Sequence, residues 1–287
     1  MNIYEETKFL MNKYNINANK NLGQNFLIDE DVINKIVQAA EIDKNDIVIE
    51  IGPGLGTLTS KLLEKARKVI AIELDKKMIT VLTDRFSLYH NFLIIEDDVL
   101  KVDLNKLIEE QNIERSKVKI VANLPYYITT PIIMKLLEEK LNIQSITVMI
   151  QKEVADRLTE MPGGKNTGAI TYCVYYYAEA QQILLVPNTS FIPAPKVNSE
   201  VIKLNIRKEP PIKVEKEQEF FKIIKASFMQ RRKTLINGLS NAGISSKERI
   251  REILNSLGIS ENTRGESLTI EQFAQITNEL TKIFFNQ

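Results

Sequence analysis

Residues 47–59 read IVIEIGPGLGTLT, and this stretch is the strongest indication of the fold class of the chain. A run of β-branched residues leads into a glycine-rich turn, after which a helical pattern begins. Doubly wound α/β sheets build adenosine-binding crevices in this way, because glycines let the backbone approach a ligand closely. The spacing is G-x-G-x-G, not the G-x-G-x-x-G of dinucleotide folds, since Thr57 stands at the third glycine position. Gly52 and Gly54 are therefore candidate contacts to an adenosine-containing cofactor.

Three polar residues lie at the ends of the next three apolar runs. Glu73 ends the first of them and lies 21 residues beyond Gly52, the distance at which such folds place a carboxylate on ribose hydroxyls. Asp98 follows the second run and is a candidate acceptor for an adenine amine, and Asn123 follows the third. An acid in one strand-exit loop is common by chance. Acceptors at successive strand ends together favour a nucleoside-binding site.

The segment Asn123-Leu124-Pro125-Tyr126 carries the most specific chemistry. An exocyclic base amine is a poor nucleophile, so a site that alkylates it needs acceptors for both of its N–H protons. The Asn123 side-chain oxygen and the Leu124 carbonyl are candidates, and Pro125 restricts the backbone on either side. Tyr126 offers a face on which a base can stack. The alternative is a plain strand-ending turn in which proline breaks the strand and tyrosine packs.

Composition excludes several classes of protein. The 287 residues are 44% hydrophobic and 26% charged, which is typical of a globular chain with one large and one small domain. No apolar run approaches the roughly 18 residues of a membrane span, and the N-terminus lacks a signal-peptide pattern. With only Cys173 and His90 of their kinds, a zinc site or a histidine triad is not expected. We expect a cytoplasmic, metal-free protein that does not associate with membranes.

Positive charge is concentrated near the C-terminus. The net charge is only +1, but residues 206–287 hold 14 basic and 10 acidic side chains. Five cations and no acid occur between residues 222 and 233. Local patches matter more than the total for nucleic-acid binding. Arg231, Arg232 and Lys233 are therefore candidate RNA contacts, and the alternative is an exposed helix face.

The pattern along the chain predicts a parallel sheet covered by helices. Asp29 is expected to cap a helix, and Thr130-Pro131 is expected to begin another. Two late strands, 181–186 and 199–206, are expected to pair antiparallel and complete a seven-stranded sheet. The earlier strands are predicted at 47–51, 69–73, 92–96, 118–122 and 145–150.

Domain boundaries follow from the change of pattern. Residues 1–206 are predicted to form the cofactor-binding domain, with an N-terminal arm and loop at 1–27. Residues 207–218 are polar and contain Pro210-Pro211, as in a linker. From there to residue 287 the pattern is helical, which predicts a small all-helical domain.

The motifs together resemble those of the rRNA adenine N6,N6-dimethyltransferases, in particular the small-subunit dimethyladenosine transferases. The resemblance covers about residue 5 to the end, and Thr167 departs from the tyrosine usual in the family. The matching segments are NLGQNFL (21–27), EIGPGLG (50–56), NLPY (123–126) leading into Thr130-Pro131, QKEVA (151–155) with Arg157-Leu158, FIPAPKV (191–197), QRRKTL (230–235) and RGESL (264–268).

This resemblance implies a Rossmann-like S-adenosylmethionine-dependent methyltransferase fold. The implied substrate is a pair of adjacent adenosines in small-subunit (16S) rRNA, within a pre-ribosomal particle, and we expect a monomer. Gln24, Asn25 and Leu27 lie in the loop that the family closes over the methionine end of the cofactor. Phe191 is implied to be a second aromatic wall for the target base. From the residues alone, Phe191 is equally a loop hydrophobe packed on the core.

Three rivals remain open. The antibiotic-resistance branch of the family methylates an adenine of large-subunit rRNA, but it typically has isoleucine where Leu124 stands, a more basic chain and a shorter helical end. An NAD-dependent oxidoreductase is disfavoured by the glycine spacing and by the lack of a suitable histidine. A non-catalytic ribosome-assembly factor is disfavoured by the intact motif at Asn123.

Overall fold

The computed structural model describes residues 2–19, 22–111 and 118–282, and within them it has nine strands and twelve α-helices. The strands are β1 (Phe26–Leu27), β2 (Ile47–Ile51), β3 (Lys68–Glu73), β4 (Phe92–Glu96), β5 (Val118–Asn123), β6 (Ser145–Gln151), β7 (Ala178–Val186), β8 (Phe191–Ile192) and β9 (Ser199–Ile206). The helices are α1 (Ile3–Lys13), α2 (Glu30–Ala39), α3 (Thr57–Lys65), α4 (Lys76–Arg85), α5 (Leu104–Glu110), α6 (Thr129–Glu138), α7 (Lys152–Leu158), α8 (Ala169–Tyr177), α9 (Glu217–Met229), α10 (Leu235–Asn241), α11 (Lys247–Ser256) and α12 (Ile270–Thr281).

Seven strands form one sheet in the order β4-β3-β2-β5-β6-β9-β7. The first five are parallel, and β9 runs antiparallel to β6. Strand β2 lies between β3 and β5, so that Ile49 pairs with Ile70 on one side and Ile120 on the other. All five residues of β2 are buried, as expected for a central parallel strand covered on both faces. The predicted seven-stranded α/β fold is confirmed.

Helix α2 covers one face of this sheet. Asp29 caps it by accepting a hydrogen bond from the Val32 backbone N–H at 3.2 Å, as its position in the sequence predicts. The apolar positions Ile33 and Ile36 recur at helical spacing and are fully buried. They pack in one core cluster with Val48 of the central strand. The pattern that predicts this helix therefore also decides which of its sides faces the sheet.

The start of α6 differs from the prediction. The helix begins at Thr129, not at Thr130, and Pro131 is its third residue. The Thr129 hydroxyl donates to the Pro125 carbonyl oxygen at 3.0 Å, which joins the helix start to the preceding turn. Proline remains tolerated there because the first N–H groups of a helix have no partner within it.

The chain forms two compact units. The first comprises 1–155 and 179–206, and the second comprises 156–178 and 207–287. The predicted division places residues 156–178 in the first domain, whereas in the structure they group with the C-terminal helices. No helix in the described ranges combines the length and the apolar character needed to cross a membrane.

Aromatic packing in the second unit explains that grouping. Tyr172 is fully buried, lies 5.0 Å from Phe273 between ring centroids, and donates to the Leu268 carbonyl oxygen at 2.5 Å. Tyr176 and Tyr177 both donate to the Glu217 carboxylate. These partners lie 40 or more positions away, so the sequence pattern around α8 does not reveal them.

Candidate active site

A cleft opens at the carboxyl ends of β2, β3, β4 and β5. Its empty space is about 1090 Å³ including the part open to solvent, which is ample for a nucleoside cofactor. Ligands of open α/β sheets bind at this edge, because the loops that leave adjacent strands converge there. The lining consists of residues 22–27, 50–55, 57–58, 72–74, 97–99, 123–128 and 132.

The glycine-rich loop that follows β2 forms the floor of the cleft. Gly52 has a φ of +65°, and a Cβ built there would meet no atom within 4 Å. Gly56 has a φ of +80°, but a Cβ there would lie 2.6 Å from the Phe86 ring. Gly56 is thus required by packing as well as by backbone conformation. At Gly52, in contrast, the absent side chain leaves room for a ligand.

Glu73 ends β3 and is held firmly against this loop. One carboxylate oxygen accepts from the Gly54 N–H at 3.2 Å, and the other accepts from the Leu74 and Asp75 N–H groups at 2.9 Å each. Burial raises the pKa of Glu73 above its usual range, while these three hydrogen bonds act in the opposite direction. A carboxylate has about four acceptor positions, so one remains for a ligand hydroxyl.

Asp98 lies at the carboxyl end of β4 and lines the same cleft. One of its carboxylate oxygens accepts from the Leu100 N–H at 3.0 Å, which fixes the side chain in the loop. Asp97 is beside it and also lines the cleft. The structure thus brings Gly52, Glu73 and Asp98 together, as the spacing predicts.

Glu50 is a cleft residue that the sequence reasoning did not single out. It lies in β2 and its side chain is 1% exposed. Burial raises its pKa to about 8 from an ordinary 4.5, with a smaller contribution from the charge of Glu73, and the Thr59 hydroxyl opposes the shift. Glu50 is therefore largely a neutral acid at neutral pH. Its signal in the sequence is an acidic residue inside an otherwise apolar buried strand.

Asn123 ends β5 and faces the N-terminal loop. Its amide nitrogen donates to the Asn25 carbonyl oxygen at 3.3 Å, which leaves the amide oxygen as an acceptor. The Leu124 N–H donates to the Met149 carbonyl oxygen at 3.1 Å, which fixes the turn on β6. Within the described ranges, no donor bonds the Leu124 carbonyl oxygen or the Asn123 amide oxygen. Two fixed acceptors therefore remain available at the edge of the cleft.

Tyr126 follows in a short 3₁₀ turn after Pro125, whose φ is −60°. The tyrosine hydroxyl and the Ser199 hydroxyl are hydrogen-bonded at 2.6 Å. Burial raises the pKa of Tyr126 above its usual range, so the phenol stays neutral. This hydrogen bond anchors one end of the ring, and Tyr126 lines the cleft as predicted.

Phe191 is buried beside the cleft. Its side chain is 3% exposed, belongs to the core cluster beside α2, and does not line the cleft. The reason is that β8 pairs antiparallel with β1, with Phe191 opposite Leu27. Phe191 therefore packs on the core, and its role as a second aromatic wall for the target base stays a prediction. Leu27 lines the cleft, so Phe191 supports the site from behind.

The N-terminal loop closes one side of the cleft. The Gln24 amide nitrogen donates to the Asp75 carboxylate at 2.8 Å, and its oxygen accepts from the Asn19 N–H at 2.8 Å. Asn25 donates to the Gly23 carbonyl oxygen at 3.1 Å. Gln24, Asn25 and Leu27 all line the cleft, whereas Asn21 of the same motif lies outside the described residues.

The basic triplet belongs to the second unit, in the turn between α9 and α10. The Arg231 Nη2 donates to the Thr167 carbonyl oxygen at 3.1 Å. The same nitrogen lies 3.7 Å from a Glu266 carboxylate oxygen. All three residues of the triplet are exposed, and Arg231 differs from Arg232 and Lys233 in these two contacts. Thr167, where the sequence departs from the family, is fully buried, and its hydroxyl donates to the Met161 carbonyl oxygen at 3.2 Å. Arg231 thus has a structural role, which leaves Arg232 and Lys233 as the more available cations.

Metal ligation has no support among the described residues, which contain no group of three or more His, Cys, Asp or Glu side chains able to hold an ion. The absence of a metal therefore stays a prediction.

Comparisons with known proteins show to which family the chain is similar. The family model described as "Ribosomal RNA adenine dimethylase" matches residues 15–282. The chain is 48% identical over 279 residues to ribosomal RNA small subunit methyltransferase A of Alkaliphilus oremlandii, covering 97% of both proteins. It is 49% identical over 282 residues to the protein of the same name from Bacillus pumilus, again covering 97% of both. A crystal structure of a dimethyladenosine transferase from Plasmodium falciparum is similar, with 28% identity, a TM-score of 0.74 and coverage of 90% of this chain and 98% of that one.

Proposed function

This chain belongs to the ribosomal RNA adenine dimethylase family, and we propose a specific reaction for it. The protein transfers two methyl groups from S-adenosylmethionine to N6 of each of two adjacent adenosines, in a hairpin loop near the 3′ end of small-subunit (16S) rRNA. The near full-length similarity to relatives named small subunit methyltransferases supports this choice of substrate.

The observation that carries the proposal is the pair of acceptors at the end of β5 that accept no hydrogen bond from any described residue. An adenine amine placed there donates one proton to the Asn123 amide oxygen and the other to the Leu124 carbonyl oxygen. Both bonds strengthen as positive charge develops on N6, so they stabilise the transition state more than the ground state. A new N–C bond forms, the sulfur–carbon bond breaks, and N6 releases a proton to solvent. Tyr126, anchored through Ser199, supplies the face on which the flipped base stacks.

The cleft residues fit an adenosine-containing cofactor. Gly52 leaves open space where any other residue would place a Cβ. Glu73 has one acceptor position left for a ribose hydroxyl, and Asp98 presents a carboxylate for the adenine amine. When bound, S-adenosylmethionine supplies an electrophilic methyl group on a sulfonium, so positioning and amine polarisation are sufficient.

The N-terminal loop completes the cofactor site. Asn25 is tied to Asn123 through its carbonyl oxygen, and Gln24 is tied to the loop after β3 through Asp75. Together with Leu27 these residues enclose the methionine end of the cofactor and exclude water from it. A neutral Glu50 adds no further negative charge to this enclosed space.

The helical C-terminal region, proposed as residues 219–287 after a linker at 207–218, carries the RNA contact. Arg232 and Lys233 bind phosphates, and Arg231 supports their turn while contributing to the same field. The proposed substrate is a pre-ribosomal small-subunit particle in the cytoplasm, and the proposed enzyme is monomeric and needs no metal.

The test is methyl transfer to purified ribosomal subunits. Small and large subunits that lack this modification are incubated with the enzyme and radiolabelled S-adenosylmethionine, and the modified nucleotides are mapped. We expect label at N6 of two adjacent adenosines of the small subunit, and none in large subunits. Fully modified small subunits provide the matched control and should accept no label. Label in the large subunit would instead identify the antibiotic-resistance activity, and label in neither would refute the proposal.

A further inference from the structure

Helix α4 connects the N-terminal helix α1 with the glycine-rich loop through a single side chain. Arg85, the last residue of α4, donates from Nη1 to the Leu55 carbonyl oxygen at 2.8 Å. Its Nη2 donates to the Glu6 carboxylate of α1 at 2.5 Å. The Arg85 side chain is 14% exposed, so water competes weakly for either bond. One guanidinium thus bridges two segments that lie about fifty residues apart in the chain.

The Leu55 carbonyl needs this donor because of its place in the loop. Helix α3 begins at Thr57, and Gly56 is its N-cap, so Leu55 lies just outside the helix. Its carbonyl oxygen therefore receives no helical hydrogen bond. Leu55 is 1% exposed and lines the cleft between the two glycines. A buried carbonyl without a donor is costly, and Arg85 supplies that donor.

A second contact joins Arg85 to the same loop. Its guanidinium lies over the Phe86 ring, 5.3 Å from the centroid. That ring occupies the space which a side chain at position 56 would need, so it packs directly on Gly56. The end of α4 thus holds two consecutive residues of the glycine-rich loop, one by a hydrogen bond and one by packing.

Helix α1 is tied to α4 at two adjacent positions, and only one of them reaches the loop. At the first, Glu6 accepts a hydrogen bond from Arg85. Lys13 and Tyr14 both bind the Asp84 carboxylate, Lys13 at 3.0 Å. Asp84 therefore docks α1 without contacting the loop, which offers a matched control for the Glu6 contact.

We propose that Arg85 is a positioning residue for cofactor binding, and that Glu6 makes α1 part of the cofactor-binding machinery although α1 does not line the cleft. Arg85 holds the Leu55 carbonyl so that the glycine-rich loop keeps its ligand-binding conformation. The Glu6 carboxylate fixes the second arm of the guanidinium and so its orientation. This inference rests on the proposed function only for the identity of the ligand, S-adenosylmethionine.

The size of the effect follows from the population of the competent loop. The apparent dissociation constant equals the intrinsic constant divided by the fraction of molecules in the binding-competent state. If loss of the Arg85 bond lowers that fraction to between about 0.1 and 0.3, the apparent constant rises roughly three- to tenfold. The reacting groups near Asn123 are untouched, so the rate of methyl transfer at saturating cofactor should not change.

The experiment compares five variants of the full-length protein with the wild type by calorimetry, with S-adenosylhomocysteine as the probe so that no reaction occurs. We expect Arg85→Gln to raise the dissociation constant about three- to tenfold. Glu6→Gln should raise the dissociation constant less. The double variant should bind no more weakly than Arg85→Gln alone, because Glu6 acts on the loop only through the Arg85 guanidinium. The dissociation constant of Asp84→Asn should stay within about twofold of the wild-type value. Arg85→Lys should bind more tightly than Arg85→Gln but more weakly than the wild type, since lysine lacks the two-armed guanidinium donor.

Two results would overturn the inference: unchanged affinity in Arg85→Gln, or equal weakening by Asp84→Asn and Glu6→Gln, which would mean that only the docking of α1 matters. If Arg85→Gln does not fold, the comparison of Glu6→Gln with Asp84→Asn still decides the question. Absence of binding by the wild type would instead refute the proposed cofactor.

Discussion

Asn123→Ala tests the proposed chemistry most directly, because the substitution removes the side-chain acceptor and leaves the Leu124 carbonyl in place. It also removes the 3.3 Å bond from the amide nitrogen to the Asn25 carbonyl oxygen. The two losses differ in size. A long neutral hydrogen bond contributes at most about 1 kcal/mol, or roughly fivefold in cofactor affinity. Loss of one preorganised group that stabilises developing charge costs about 2.7–4 kcal/mol, or 10²–10³ in rate, by analogy with oxyanion holes.

The assay should therefore separate binding from chemistry. Single-turnover methyl transfer, measured with enzyme and cofactor both saturating, should slow by about 10²–10³-fold in Asn123→Ala. Cofactor affinity should fall by no more than about fivefold. Asn123→Asp is the isosteric control, since it keeps an acceptor oxygen but loses the N–H that binds the Asn25 carbonyl. A single-turnover rate for Asn123→Ala within about tenfold of the wild type would refute the mechanism while leaving the fold intact.

The second methylation supplies an internal control. A monomethylated amine keeps only one N–H, so it cannot bond both acceptors at once. If Asn123 mainly serves the first transfer, the Asn123→Ala variant should stall at the unmodified base and be relatively better on a premethylated substrate. Equal impairment of both transfers would show that Asn123 acts in each.

Three further predictions concern the buried acid, the glycines and the basic turn. Because burial raises the pKa of Glu50 to about 8, the folded state keeps a proton that the unfolded state loses above its ordinary 4.5. The contribution of Glu50 to the free energy of unfolding is thus complete below about pH 4.5. It falls by about 1.4 kcal/mol per pH unit between about pH 4.5 and about pH 8. In urea unfolding, the free energy of unfolding of Glu50→Gln should therefore decline less over this pH range than that of the wild type. A wild-type slope unchanged by the substitution would show that Glu50 is ionised throughout. Gly52→Ala and Gly56→Ala both place alanine at positive φ, but only the Cβ at position 56 would lie 2.6 Å from the Phe86 ring. Thermal unfolding should therefore show the larger loss of stability in Gly56→Ala. Calorimetry of folded Gly52→Ala should show weaker cofactor binding. Similar losses of stability in both variants would remove the packing argument for Gly56. Changing Arg232 and Lys233 to alanine should reduce the steepness of the plot of log RNA affinity against log salt concentration by about 0.7–0.9 per charge removed. Cofactor affinity should stay unchanged. An unaltered salt dependence would show that the two residues are exposed cations that do not contact RNA.

Features that depend on local pattern can be predicted from the residues alone. This holds for the five parallel strands, the Asp29 cap and the glycine-rich turn. Each of them follows from residues that lie close together in the chain. Glu73 and Asp98 could be placed in the site because parallel strands end at one edge of the sheet, so order along the chain predicts proximity. The chemistry proposed for Asn123 likewise needs only its own segment, since the second acceptor is the next carbonyl.

Features that depend on partners far along the chain become visible only in the folded protein. Phe191 lies in the core because β8 pairs with β1, some 165 positions away, and no local pattern distinguishes that from a wall of the cleft. Residues 156–178 join the C-terminal helices through buried tyrosines such as Tyr172. The neutral state of Glu50 and the bridge made by Arg85 arise in the same way. Burial and hydrogen-bond partners are properties of the packed chain, because they are set by atoms that converge only after distant segments have come together.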